Sequence, residues 1–291
     1  MHKTAFALAA AAALVTTGAI AASADVVVLM DESGSMAGEQ AWIPGTITTL
    51  DTGLNTAGVT GNRYGLVGFG ASEAPEPSRV RNFSVGGGQF GTAVQFATAT
   101  AGLVTSGGTE DGYAAIAAAN LYGFAPGAAR NYILVTDEDR DNTNAALTFN
   151  SVLSSLTSTN TLLNAVVNAT FRCGDTTAAI GIIGSTGYKA NGTGGFTTCG
   201  GASFVGSSNT ITDYVQLALD TGGGAWNLNI LRAGGANAES FTNAFIAGKI
   251  GEIVTQVPGI PEPETYALML AGLGAVGWMS RRRKAARTLA A

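Results

Sequence analysis

Two short runs limit the fold more than anything else in the chain: residues 25–30, "DVVVLM", and residues 131–137, "NYILVTD". Each is apolar almost without a break, rich in β-branched side chains, and too short for a core helix. A strand that is apolar on both sides has to be covered on both faces, which parallel sheets between layers of helices provide. Similar runs lie at 63–70 ("RYGLVGFG"), 161–171 ("TLLNAVVNATF") and 225–231 ("AWNLNIL"), and 79–84 ("RVRNFS") alternates as an edge strand does. Helical stretches fit between them, near 38–57, 90–104, 110–122, 143–157, 210–219 and 238–256. This alternation predicts an α/β fold: a doubly wound, mostly parallel six-stranded sheet with helices on both faces. Pro44 and Gly45 are expected to kink or interrupt the first helix. In the last helix, Phe241, Phe245, Ile250 and Ile253 recur at near-helical spacing as core contacts.

One segment, about 172–209, breaks the alternation. It is rich in Gly, Thr and Ser, and "AAIGIIG" (178–184) reads as one strand of a hairpin. It also holds Cys173 and Cys199, the only cysteines. In an exported chain an even pair most simply forms one disulfide, so the segment is expected to be a disulfide-closed surface insertion. Zinc is the weaker reading, because ligands are lacking. The only histidine is His2; without another, Ser-His-Asp triads, Cys-His pairs and histidine metal sites all fall away.

The ends read as export signals. Residues 1–24 have a charged start, an apolar middle and a small-residue finish, with Ala22-Ser23-Ala24 fitting an A-x-A cleavage site. This predicts a signal peptide at 1–24 and a mature domain at 25–257. A Pro-rich linker follows at 258–264, then a short apolar helix and basic tail at 265–291. The apolar run 265–279 would span about 22 Å as a helix, short of a hydrocarbon core of about 30 Å. The basic residues Arg281, Arg282, Arg283 and Lys284 would stay on the cytoplasmic side. A permanent anchor would be short, and a transient sorting tail accounts for the length better. Pro261-Glu262-Pro263, the apolar run and the basic cluster together resemble a PEP-CTERM sorting signal. That resemblance implies transient membrane insertion and processing by an exosortase. It also implies delivery to the cell surface or the extracellular (biofilm) matrix of a diderm bacterium. Between the two signals acidic residues outnumber basic ones about two to one. No basic patch remains there to attract nucleic acid.

The pentapeptide "DESGS" at 31–35 follows the first strand directly. One reading is an N-cap, since Asp and Ser both satisfy the free N–H groups of a helix start. The other takes in two distant segments, "TSGGTEDG" with Thr109 and "YILVTDE" with Asp137. Ligands in open α/β sheets bind beyond the carboxyl ends of the strands, where all three segments should lie. Asp31, Ser33, Ser35, Thr109 and Asp137 match, in order, the metal-ion-dependent adhesion site of von Willebrand factor type A (vWA) domains. The resemblance covers about 25–257 and implies the Rossmann-like vWA fold. It implies Mg²⁺ held by the three hydroxyls, with the two aspartates in direct or water-mediated contact; Mn²⁺ and Ca²⁺ suit the same oxygens. It further implies an open coordination position for an acidic oxygen of a partner.

Where the family commonly has Gly after the last aspartate, this chain has Glu138. Glu32, Glu110, Asp111, Asp139 and Asp141 are expected to add negative charge around the rim. Such a rim weakens capture of a bare carboxylate and favours Ca²⁺ or a partner with basic groups beside its acid. No nucleophile or acid/base pair is legible, so the expected role is binding and not catalysis. The partner would be an extracellular protein or polysaccharide. The alternative is a structural matrix component whose cation only steadies the fold.

Overall fold

The computed structural model describes residues 22–257. The strands in chain order are β1 (Ala24–Asp31), β2 (Arg63–Phe69), β3 (Val80–Asn82), β4 (Ala129–Val135), β5 (Thr161–Val167) and β6 (Thr170–Arg172). After these come β7 (Ala178–Ala179), β8 (Gly181–Ile183), β9 (Thr186–Ala190), β10 (Phe196–Cys199), β11 (Ser203–Val205) and β12 (Gly224–Asn227). The helices are α1 (Ala37–Thr56), α2 (Ala93–Ala99), α3 (Gly112–Ala119), α4 (Phe149–Ser158), α5 (Gln216–Asp220), α6 (Leu228–Arg232) and α7 (Gly235–Gln256).

The main sheet runs β10-β9-β8-β12-β5-β4-β1-β2-β3. Its five neighbours from β12 to β2 are parallel, and β3 is antiparallel at one edge. The apolar runs behave as their composition requires. Every residue of β1 is buried. Val26, Val28 and Met30 face a layer built from α1, α2 and α7, while Val27 and Leu29 face the layer of α3, α4 and α5. The β1–β2 register places Asp25 opposite Arg63, and the two form a bidentate ion pair at 2.8 and 2.6 Å.

Nine strands replace the six expected. The supposed surface insertion accounts for the difference. β8 pairs antiparallel with β12 and continues through β9 to β10, extending the sheet. Tyr188 of β9 lies 5.2 Å from Trp226, which packs on Phe241 and Phe245 of α7. The segment therefore completes the core over the first half of α7. The disulfide Cys173–Cys199 is present, and it closes β6, β7 and β11, a separate three-stranded sheet, onto this extension.

Other expectations shift at element boundaries. α1 continues through Pro44 without interruption. Proline removes one helical hydrogen bond, and burial of Ile43, Ile47, Leu50 and Leu54 on the sheet outweighs that loss of about 3 kcal/mol. The run 161–171 divides into β5 and β6. In 225–231 the strand stops at Asn227, whose side chain caps α6 by accepting from the Asn229 N–H. Phe241, Phe245 and Ile253 are buried as expected, and Ile250 packs against the same core.

At the start of the fold, the backbone of residues 22–24 is already in use. Ala22 O accepts from Thr60 N at 2.7 Å and Ser23 O from Ala129 N at 2.9 Å, while Ala24 N donates to Asn62 Oδ1. The predicted signal sequence up to residue 21, and the linker, apolar helix and basic tail from 258 onward, lie outside the described residues. Among the described residues, no helix is long and apolar enough to cross a membrane.

Candidate metal centre

The carboxyl ends of the central strands bring three loops together: 32–36 after β1, 103–111 before α3, and 136–143 after β4. α1 begins at Ala37, and its cap position, Met36, makes no side-chain capping bond. The serines of "DESGS" therefore do not serve the helix start. The Ser33 and Ser35 hydroxyls lie 3.3 Å apart, and Ser35 Oγ donates to Asp137 Oδ1 at 2.9 Å, across 102 residues of chain.

Asp31 is fully buried beneath them. Its Oδ1 accepts from Ser33 N at 2.7 Å and its Oδ2 from Thr136 Oγ1 at 2.7 Å. Burial pushes its carboxyl up to about 6; hydrogen bonds from Thr136 and Ser33 oppose this and the charge of Asp137 adds to it. Asp31, Ser33, Ser35 and Asp137 thus form one connected chain of oxygens. Thr109 lines an adjoining hollow with Gly108, Asp141, Asn142 and Thr143. From the second loop, Glu110 shares a cavity with the serines. A cavity of about 430 Å³ is lined by Ser33, Ser35, Gly107, Gly108, Glu110, Glu138, Asp139 and Asp141 among others.

The acids expected around the rim divide into two groups. Glu32 is fully buried below the site, with Oε1 accepting from Arg81 Nη1 at 2.6 Å and from Val104 N at 3.0 Å. Burial pushes its carboxyl up to about 7, and Oε2 has no partner. Asp111, also fully buried, caps α3 and accepts from Arg140 and Thr143. These two are structural and not rim charges, because each has both an arginine and a backbone N–H as partners. Asp139 lines the cavity but also accepts from Thr210 N at 2.8 Å. Glu110, Glu138 and Asp141 remain as cavity acids. Glu110 is 4% exposed, and burial, together with the charges of Asp31, Asp141 and Glu138, pushes its carboxyl up to about 8.

Arg232, at the end of α6, carries no motif that would have singled it out. Its Nη1 meets Asp137 Oδ2 at 2.9 Å, its Nε donates to the buried Glu39 at 2.7 Å, and its Nη2 reaches Ser35 O at 3.3 Å. Both oxygens of Asp137 are therefore held by protein donors. Thr136, which orients Asp31, was equally hidden, although its place just before Asp137 on a central strand was a usable signal.

The donors are all hard oxygens, suited to Mg²⁺, Mn²⁺ or Ca²⁺ and unsuited to soft metals. Among the described residues, no three acidic, imidazole or thiol side chains converge as a metal cluster. A cation here would rest on hydroxyls and at most two acids. Two buried carboxyls near the linked hydroxyls of Ser33 and Ser35 fit such an ion, since a cation offsets the cost of burying their charge.

Comparison with known proteins adds one firm assignment. Residues 259–284 match the model of the PEP-CTERM protein-sorting motif, in agreement with the three-part reading of the tail. No curated protein matches the chain. Among solved structures, the chain is similar to a von Willebrand factor type A protein from Catenulispora acidiphila, with a TM-score of 0.38 and 21% identity. The match covers 50% of this chain and 33% of that one, so the chain spans about a third of its length. A likeness at that level carries no argument about the site, which rests on the residues and topology above. What stands is an α/β protein, with five central parallel strands, that carries a sorting motif for export.

Proposed function

We propose that the chain is an exported binding protein of the vWA type. In this reading it is presented at the cell surface or in the extracellular matrix and grips its partner through a divalent cation. The carrying observation is the Asp31–Ser33–Ser35–Asp137 chain at the carboxyl edge of the sheet, made by serines that leave their own helix uncapped. The bound cation supplies a hard electrophilic centre for an acidic oxygen of the partner. Asp31 supplies buried negative charge, fixed in direction by Thr136 and the Ser33 N–H. The serine hydroxyls are neutral donors that hold the ion without exhausting its charge. Arg232 fixes Asp137 from behind. Glu138 and Asp141 at the rim disfavour an unaccompanied carboxylate and favour a protein or polysaccharide with basic groups beside its acid. Nothing in this arrangement calls for catalysis, and the reading is one of binding.

Calorimetric titration of the purified protein with Mg²⁺, Mn²⁺ and Ca²⁺ tests the cation, with Asp31→Ala as control. The reading fails if the wild-type protein binds none of them, or if the variant binds as well. A purely structural role for the cation is the second reading, favoured by the protein donors on both oxygens of Asp137. Capture of matrix components with and without chelator separates the two. Loss of capture supports the adhesive reading; lowered stability with capture intact supports the structural one.

A further inference from the structure

Thr109 and Glu110 are neighbours in the chain, yet they serve different spaces. Thr109 lines the adjoining hollow, whereas Glu110 lines the cavity of Ser33 and Ser35. Glu110 is held there by its backbone. Its N–H donates to Asp141 Oδ2 at 3.1 Å and its carbonyl accepts from Asp141 N at 2.7 Å, so the loop before α3 is clipped to the loop after β4. Its Cγ and Asp31 Oδ1 both lie beside Gly70. A Cβ placed on Gly70 would lie 3.3 Å from both Asp31 Oδ1 and Glu110 Cγ. Among the described residues no cation pairs with Glu110, and its side-chain contact is with another acid, Asp141. A carboxylate that is 4% exposed and lacks a protein cation faces a strong desolvation cost. Every other deeply buried acid at this edge has an arginine: Glu32 has Arg81, Asp111 has Arg140, and Glu39 has Arg232. Asp137 shares Arg232 as well. The two acids left without one are Asp31 and Glu110.

We propose that Glu110, in place of Thr109, is the ligand the second loop gives to the cation, and that the Asp31–Glu110 pair makes this a calcium site. The proposal rests on the cation reading above. Its chemistry follows from the side chains. Glutamate on a long arm can take a large ion with both oxygens, and Ca²⁺ accepts six to eight oxygens at about 2.3–2.6 Å in flexible geometry. Mg²⁺ demands near-octahedral placement at about 2.0–2.1 Å and retains several waters, which suits a site of neutral hydroxyls better. Glu138 and Asp141 at the rim add long-range attraction for the larger ion without having to touch it.

The test is a titration of the purified protein with Ca²⁺ and with Mg²⁺, read by calorimetry and by sensitised Tb³⁺ luminescence. It compares the wild type with Glu110→Gln, Thr109→Ala and Asp31→Ala. The wild type is expected to bind Ca²⁺ at least tenfold tighter than Mg²⁺. Glu110→Gln is expected to lose at least tenfold in Ca²⁺ affinity and most of that preference, and Thr109→Ala to stay within about twofold of wild type. Melting in chelator serves as the fold control: Glu110→Gln, relieved of a buried charge, should melt no lower than wild type. Unchanged Ca²⁺ binding in Glu110→Gln, with binding lost in Asp31→Ala, overturns this assignment and leaves the cation reading standing. Binding lost in Thr109→Ala but not in Glu110→Gln also overturns it. Absence of binding in the wild type overturns the cation reading itself.

Discussion

Stripped of divalent cations, the domain should lose stability as pH rises, the reverse of the usual acid denaturation. Asp31 is pushed from an ordinary 3.8 up to about 6 and Glu110 from 4.5 up to about 8, burial being the first cause of each. Between the unfolded and folded values the native state holds protons that the unfolded chain has released. Stability is therefore fully present below about pH 4 and is lost as pH rises through about 6 and then about 8. A displacement of about two units at Asp31 corresponds to about 3 kcal/mol. Glu110 is raised partly by the charge on Asp31, so the two titrate as a coupled pair and their costs do not simply add. A combined loss on the order of 3–5 kcal/mol between pH 4 and pH 8 is expected, or about 10 °C in melting temperature for a domain of this size. Glu32, pushed up to about 7 chiefly by burial, works in the same direction, and Glu32→Gln isolates its share. Urea or thermal denaturation in chelator at several pH values reads the slope, and saturating Ca²⁺ should flatten it, because the cation takes the place of the protons. The reasoning is refuted if the chelated protein is as stable at pH 8 as at pH 5. It is equally refuted if Glu110→Gln and Asp31→Asn leave the slope unchanged.

Arg232→Gln leaves Glu39, 3% exposed, without its partner; about 2–3 kcal/mol should be lost in urea denaturation, and the double variant with Glu39→Gln should recover most of it. Cys173→Ser with Cys199→Ser opens a loop of 26 residues and should cost about 3 kcal/mol in the same assay; a loss below 1 kcal/mol would mean that pairing of β8 with β12 holds this region without the bond. Three hydrogen bonds to the backbone of residues 22–24, together on the order of 3 kcal/mol, favour cleavage of the expected signal sequence after Ala21, where Ala19-Ile20-Ala21 repeats the A-x-A pattern. Mass spectrometry of the mature protein should give Ala22 as its first residue, and a start at Asp25 would refute this.

The parallel centre of the fold was legible because burial on both faces writes itself into composition. β1 and β4 can be nothing else in a chain of this length. The extension through β8, β9 and β10 was not legible, for a physical reason. Its strands take their place by antiparallel pairing with β12 and by packing of Ile180 and Tyr188 in the core cluster of Trp226, while Ile182 enters the cluster on the other face with Ala225. Glycine and threonine on the outer strands record only that one side meets solvent. Pro44 misled in the opposite sense, since a local penalty was overruled by apolar side chains on both sides of it along one helix face.

The site divides along the same line. Asp31, Ser33 and Ser35 are local in sequence and fixed by the end of one strand, so spacing alone locates them. Asp137 follows from the end of a second strand. In the loop before α3 the chain offers Thr109 and Glu110 in succession, and the two line adjoining hollows. The position of Glu110 is fixed by hydrogen bonds between its backbone and Asp141, from a third segment. A motif match names the residue type a family uses at that point, but it does not carry the register of the loop. Arg232 raises the same issue with charge in place of shape. It pairs with both Asp137 and Glu39, so one positive charge answers two carboxylates and does not cancel Asp137. If the cation proposal holds, substitution at 110 tests what the cavity holds more directly than substitution at 109, because Glu110 and not Thr109 lines the cavity of the serines.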